Sequence, residues 1–242
     1  MKKIISILLG ICLCGGVFAQ TQLKIISFNI HAGYDAPIAD IAAFIKEQDP
    51  DIVALQEVEY YTNRTGANTP RPINNNINML NELAYLTGMH GMFYVTLEKC
   101  YGGKFGNAIL SKHSFDETRR IMLPCAAGTE QRNAAIADIK LPDGTEFSIV
   151  DTHIDMSKLD NGMSQIKEVN RIPQLGKHYI VAGDMNRRVG TAEINELSSV
   201  WTLALSREFY PANGWVVKET KVFSDNQLSD HYPIMVTLEF VK

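Results

Sequence analysis

The chain has 242 residues, 45% of them hydrophobic and 21% charged, an ordinary globular composition that excludes disorder, collagen-like repeats and a polytopic membrane protein. Its length gives one large domain or two small ones ample material for a core. The formal charge is −4; without Lys2 and Lys3 it is −6, with 21 basic residues against 27 acidic. An acidic surface argues against tight, non-specific duplex binding, which rests on many Lys/Arg–phosphate contacts, though a local basic rim suffices for a nuclease.

Residues 1–19 read as a signal peptide: two lysines, an apolar run too short to span a bilayer, and small residues before a cut after Ala19. The expectation is an exported domain over 20–242, periplasmic or extracellular, with no stable membrane insertion once the leader is gone. Cys12 and Cys14 fall in the leader. Cys100 and Cys125 remain, and a disulfide and two free thiols both stay open.

Apolar runs bounded by polar turns predict strands at 23–30, 51–58, 92–97, 108–110, 134–139, 147–153, 179–182, 215–223 and 234–240. Helical spacing predicts helices at 38–47, 76–87, 163–171 and 191–197. The strands cluster in mid-chain, so the domain is mixed α/β without a simple alternating order. The glycines lack the spacing of a nucleotide-cradling loop.

The informative residues are polar ones that end or interrupt strands otherwise fit for burial. They are Asn29, Glu57, Asn107, Asp151 with His153, Asp184 with Asn186, and Asp230-His231. Singly, each reads as a turn cap or a strand end meeting water. Together they would be costly to bury without a shared partner, since each unpaired amide costs about 1–3 kcal/mol and a charge more. A hard divalent cation held by oxygen ligands supplies that partner. With no Cys/His zinc spacing, Mg²⁺ or Mn²⁺ is expected.

These residues sit in six segments: Ser27-Phe28-Asn29-Ile30, Leu55-Gln56-Glu57-Val58, Gly106-Asn107-Ala108-Ile109-Leu110-Ser111, Thr152-His153-Ile154-Asp155, Gly183-Asp184-Met185-Asn186 and Leu228-Ser229-Asp230-His231-Tyr232-Pro233. Their order and intervals resemble the endonuclease/exonuclease/phosphatase superfamily of metal-dependent phosphohydrolases. The resemblance implies a four-layer α/β/β/α sandwich, two mostly antiparallel sheets packed face to face with helices outside, and a site at one edge.

By that resemblance Glu57 is the principal metal carboxylate, with Asn29 and Asp230 on the metal side. Asp184 orients or deprotonates the attacking water, and His231 faces the scissile phosphorus. His153 and Asn107 stabilise the phosphate, Asn186 holds a phosphate oxygen, and Arg132 in Glu130-Gln131-Arg132 binds substrate. The family also places an aspartate-bearing strand between the Gly-Asp-x-Asn and Ser-Asp-His segments, where it orients the catalytic histidine. Here no such pattern occurs. The acids in the interval are Glu193, Glu196, Glu208, Glu219 and Asp225, and the stretch reads as though a strand were lost after Ala212.

The expectation is a secreted, monomeric phosphoester hydrolase, either phosphodiesterase or phosphatase. A small-molecule or lipid-headgroup substrate is favoured over nucleic acid, because no Lys/Arg stripe is present. The polar segment 59–78, with Arg64 and Arg71, is either a solvated loop or a grip for a headgroup. Two alternatives are a secreted nuclease and a non-catalytic phosphate-ligand-binding protein, the latter because the orienting aspartate is missing.

Overall fold

The computed structural model describes residues 21–65, 74–174, 176–203, 209–212 and 214–241. The leader and Arg71 lie outside the described residues. In chain order the first half contains β1 (Gln22–Asn29), α1 (Ile38–Gln48), β2 (Ile52–Tyr60), α2 (Met79–Thr87), β3 (His90–Cys100) and β4 (Gly103–Ser111). There follow β5 (Phe115–Met122), β6 (Asn133–Lys140), β7 (Glu146–His153), α3 (Leu159–Val169) and β8 (Tyr179–Asp184). The last elements are α4 (Ala192–Leu197), β9 (Phe209–Ala212), β10 (Trp215–Val222) and β11 (Ile234–Phe240).

The strands form two sheets, ordered β10-β11-β1-β2-β4-β3 and β5-β6-β7-β8-β9. Only β1–β2 and β7–β8 pair in parallel; every other pairing is antiparallel. Alternate residues of each central strand feed different cores, as the two-residue period of a strand requires. Leu23, Ile25, Ile52, Ala54, Ala135, Ile149 and Ile180 point between the sheets. Ile26, Phe28, Val53 and Leu55 pack under α1 and α2 on one outer face. Ala134, Ile136, Val150 and Val181 pack against α3 and α4 on the other. The result is the expected four-layer sandwich, and each large apolar side chain buried in it contributes about 1.5–3 kcal/mol.

Three differences from the sequence reading have physical causes. The strand β5, Phe-Asp-Glu-Thr-Arg-Arg-Ile-Met, was not expected, because an edge strand with much of its length exposed needs no apolar alternation. β4 begins at Gly103, five residues earlier than expected, so Asn107 lies inside a strand. Trp215 is preceded by β9, a short edge strand antiparallel to β8; its Pro211 hid it, since proline suits only an edge. Among the described residues, no helix is long and apolar enough to cross a membrane.

One buried polar pair joins the sheets. Gln56 Nε2 donates to Asp151 Oδ1 at 2.7 Å, while Gln56 Oε1 and Asp151 Oδ2 are buried without partners. Gln56 Oε1 can only accept, whereas Asp151 Oδ2 becomes a donor when protonated. Burial pushes the Asp151 carboxyl well up, against the opposing pull of the Gln56 amide and the Thr152 N–H. Burial thus favours the protonated form of Asp151. Because its folded pKa exceeds its unfolded one, folding above the unfolded value must take up a proton, and stability falls as pH rises. Asp151→Asn keeps the shape and removes that cost. Its melting temperature is expected to exceed that of the parent at about pH 7 and to converge on it near about pH 4. A lower melting temperature at both pH values would contradict this expectation.

Candidate active site

The face that forms the inter-sheet core turns polar at one end of the sandwich. Following the same alternation, Ile25 is succeeded by Ser27 and Asn29, Ala54 by Gln56, Ile149 by Asp151 and His153, and Ala182 by Asp184. On the antiparallel neighbours Asn107 precedes Ile109 and Asn133 precedes Ala135. Glu57 has the wrong parity for this face. A register shift between Leu55 and Val58 in the β2–β4 pairing corrects it, with Glu57 in a left-handed backbone at φ 59°. The bulge returns Val58 to the outer core and releases Glu57 to the edge. Gly183 lets β8 approach β7, because a Cβ there would collide with the Thr152 backbone.

Asn29 holds the two key acids. Its Nδ2 donates to Glu57 Oε1 at 3.0 Å and across the sandwich to Asp184 Oδ2 at 3.1 Å. Its Oδ1 accepts from the His31 N–H at 3.0 Å. Asp184, 5% exposed, lies 3.6 Å from His153 Nε2 and 3.6 Å from His231 Nδ1. Burial alone would raise its pKa, but the two histidines, the Asn186 N–H and the Asn29 amide outweigh that and hold it ionised. His153, 4% exposed, is pushed down to about 3, chiefly by burial and then by the Arg132 guanidinium, against the pull of Asp184. It is neutral at ordinary pH.

The remaining expected residues converge less tightly. Asn186, at φ 50°, donates its N–H to Asp184 Oδ1 at 2.9 Å and its Nδ2 to Ile154 O at 2.8 Å, tying two loops together. Arg132 Nη1 lies 3.0 Å from His153 Nδ1 and 2.9 Å from Glu130 Oε1. Asn107, 2% exposed, has an Nδ2 with no partner among the described residues. Asp230 is half exposed, 3.8 Å from His231 Nε2 and 3.5 Å from His31 Nδ1.

No acid expected to replace the absent aspartate reaches His231 among the described residues. Glu193 pairs with Arg187, and Glu196 accepts from Asn170. Glu208 lies outside the described residues, and β9 carries Phe-Tyr-Pro-Ala. Asp184 and Asp230 flank the ring, both beyond hydrogen-bond length. Arg64 is also spoken for: it is buried, paired with Glu59 and laid over the Tyr101 ring. Cys125 is an exposed free thiol.

Sequence reasoning missed His31 and Asp35. His31 Nδ1 lies 2.8 Å from Asp35 Oδ2, and the ligand atoms of His31, Asp35 and Asp230 all fall within 4.8 Å of one another. The signal was faint, a histidine two residues beyond Asn29. A 610 Å³ cavity lies at the opposite end of the sandwich and contains none of the polar set. Its Asp138 and Glu146 are already paired with Arg119 and Lys140.

The donor set fits a hard divalent cation. Glu57 and Asp184 bring two carboxylates onto one amide nitrogen, and Asp230 stands at the rim, so oxygen donors predominate.

A sandwich with carboxylates, histidines and amides at one edge is a phosphoester-hydrolase architecture. A model of the endonuclease/exonuclease/phosphatase family matches residues 26–231, and the chain belongs to that family, whose members are typically divalent-metal dependent. No curated protein matches it by sequence. An endonuclease/exonuclease/phosphatase from Beutenbergia cavernae shares the fold at a TM-score of 0.76 and 18% identity, over 91% of this chain and 72% of that one. The mannosyl-6-phosphatase Bt3783 of Bacteroides thetaiotaomicron superposes at 0.71 with 16% identity, covering 90% of this chain and 100% of that one. Sphingomyelinase C from Streptomyces griseocarneus gives 0.64 with 15% identity, covering 90% and 99%.

The buried, unpartnered Asn107 amide separates function from stability. Asn107→Leu removes a donor that no protein group satisfies, so the melting temperature is expected to hold or rise. Turnover of a phosphoester is expected to fall about 10²–10³-fold, the size of losing one transition-state donor. Melting and hydrolysis measured on the same preparation test this; a large loss of stability would contradict it.

Proposed function

We propose that this protein is an exported, monomeric, divalent-metal-dependent phosphoester hydrolase that drives attack of an activated water on phosphorus. The observation that carries the reading is Asp184, an ionised carboxylate buried between two histidines and tied to Glu57 through Asn29. A phosphoester is anionic, so water must approach against negative charge, and neutral or cationic donors around the phosphate offset it. Asp184 orients the water and accepts its proton. His153 and Asn107 donate to the phosphate oxygens, with Asn186 lining the same wall, while His231 serves the leaving-group side. Mg²⁺ or Mn²⁺, held by Glu57 with Asp230 and Asn29 beside it, would supply Lewis-acid neutralisation of the phosphate charge.

The substrate class follows from what the edge offers. Among the described residues Arg64 is committed to Glu59 and Arg132 to Glu130 and His153, which supports a small-molecule or lipid-headgroup phosphoester over a nuclease substrate. A specific observation supports a second reading, a phosphate-binding protein without turnover: His231 has no hydrogen-bonded carboxylate among the described residues.

Hydrolysis of bis-p-nitrophenyl phosphate and p-nitrophenyl phosphate, with Mg²⁺, Mn²⁺ and EDTA arms, decides between them. The expected result is turnover abolished by EDTA and reduced about 10²–10⁴-fold by Asp184→Asn, the usual cost of removing a general base. Folded protein that binds phosphate yet leaves both esters intact would establish the binding reading instead.

A further inference from the structure

We infer that Arg132 is a positioning residue for His153, fixing that histidine as a neutral donor whose Nε2–H faces Asp184 and the phosphate. The inference rests on the hydrolase reading of the site and assigns Arg132 a task other than gripping substrate. It follows from donor chemistry. A guanidinium can only donate, so at 3.0 Å from Arg132 Nη1 the Nδ1 of His153 must be the acceptor. Its proton then sits on Nε2, the nitrogen 3.6 Å from Asp184 Oδ2.

An imidazolium would set N–H against N–H and cation against cation in a pocket where both residues are buried. Glu130 Oε1 forms an ion pair with the same Nη1 at 2.9 Å, which keeps the guanidinium's charge compensated. Glu130 balances the arginine's charge, and the arginine aims the histidine. The charged and titratable groups facing His153 are Arg132 from the β5–β6 loop, Asp184 on β8, His231 from the β10–β11 loop and Asp155 just beyond β7.

The arrangement inverts the usual partnership, in which a carboxylate on one ring nitrogen raises the basicity of the other. A guanidinium in that place lowers basicity and polarises the Nε2–H toward an incoming anion. His231 differs: its side chain is 33% exposed and it has no guanidinium partner among the described residues.

The test is ¹⁵N-histidine labelling of the mature protein with long-range ¹⁵N–¹H correlation spectra between about pH 6 and 8, His153→Asn assigning the signals. The parent is expected to show a single neutral Nε2–H tautomer for this ring across the range. Arg132→Met is expected to mix tautomers or protonate, with kcat reduced about 10²-fold and KM little changed. Arg132→Lys, which keeps a donor and a charge, is expected to restore most of both. An Nδ1–H tautomer in the parent, or an unchanged tautomer in Arg132→Met with a raised KM, would overturn the proposal; the second result would make Arg132 a substrate ligand. The spectra need no turnover, so an inactive parent that still shows the Nε2–H tautomer would count against the hydrolase reading alone.

Discussion

The site depends on a change of character along a single surface. Between the sheets, alternate residues of the central strands are apolar for most of their length and become Asn, Gln, Asp and His at one end. Strand geometry does the positioning, because residues two apart share a face and two parallel pairs, β1–β2 and β7–β8, finish at the same edge. The apolar part of that face clamps the sheets and so fixes the distance across which Asn29 reaches Asp184. Glu57 is the exception to the alternation and the place where the backbone is distorted, by a bulge and a left-handed φ. A strained residue at the edge of a well-packed core is affordable where the surrounding sheet determines its conformation.

Electrostatics then separates groups of similar type into different states. Three acids near this edge differ by environment. Asp151, deep between the sheets with one side-chain amide for company, has its carboxyl pushed well up by burial. Asp184, as hidden but ringed by donors and histidines, is ionised. Asp230 is half exposed at the rim. The two histidines differ likewise, since one is buried against a guanidinium and the other stands a third exposed between two aspartates. A centre that must both neutralise phosphate charge and move protons needs such divergence, with donors that stay protonated beside a base that stays ionised.

Much of this was legible in the sequence. Nine of the strands and all four helices announce themselves by apolar period, and the polar strand ends Asn29, Glu57, His153, Asp184 and His231 stand out because they cost too much to bury alone. What stayed hidden depends on contacts distant in sequence. The β5 edge strand carries no apolar alternation, and the Glu57 bulge appears only in its pairing with β4. The buried Asp151–Gln56 pair joins residues 95 apart in the chain. The contact of Arg132 with His153 joins residues 21 apart and is not visible in the sequence. Substrate choice is withheld for a different reason, because a fold fixes where chemistry happens and the loops around it decide on what.

The central claim is that this polar edge, and not another acidic surface, is the metal-dependent centre. Calorimetric titration with Mn²⁺ tests it most directly, comparing the parent with Glu57→Gln and with Glu146→Gln in the opposite cavity. The account predicts that the parent and Glu146→Gln bind alike while Glu57→Gln weakens binding at least about tenfold, or about 1.4 kcal/mol. Equal binding by the parent and Glu57→Gln would contradict it.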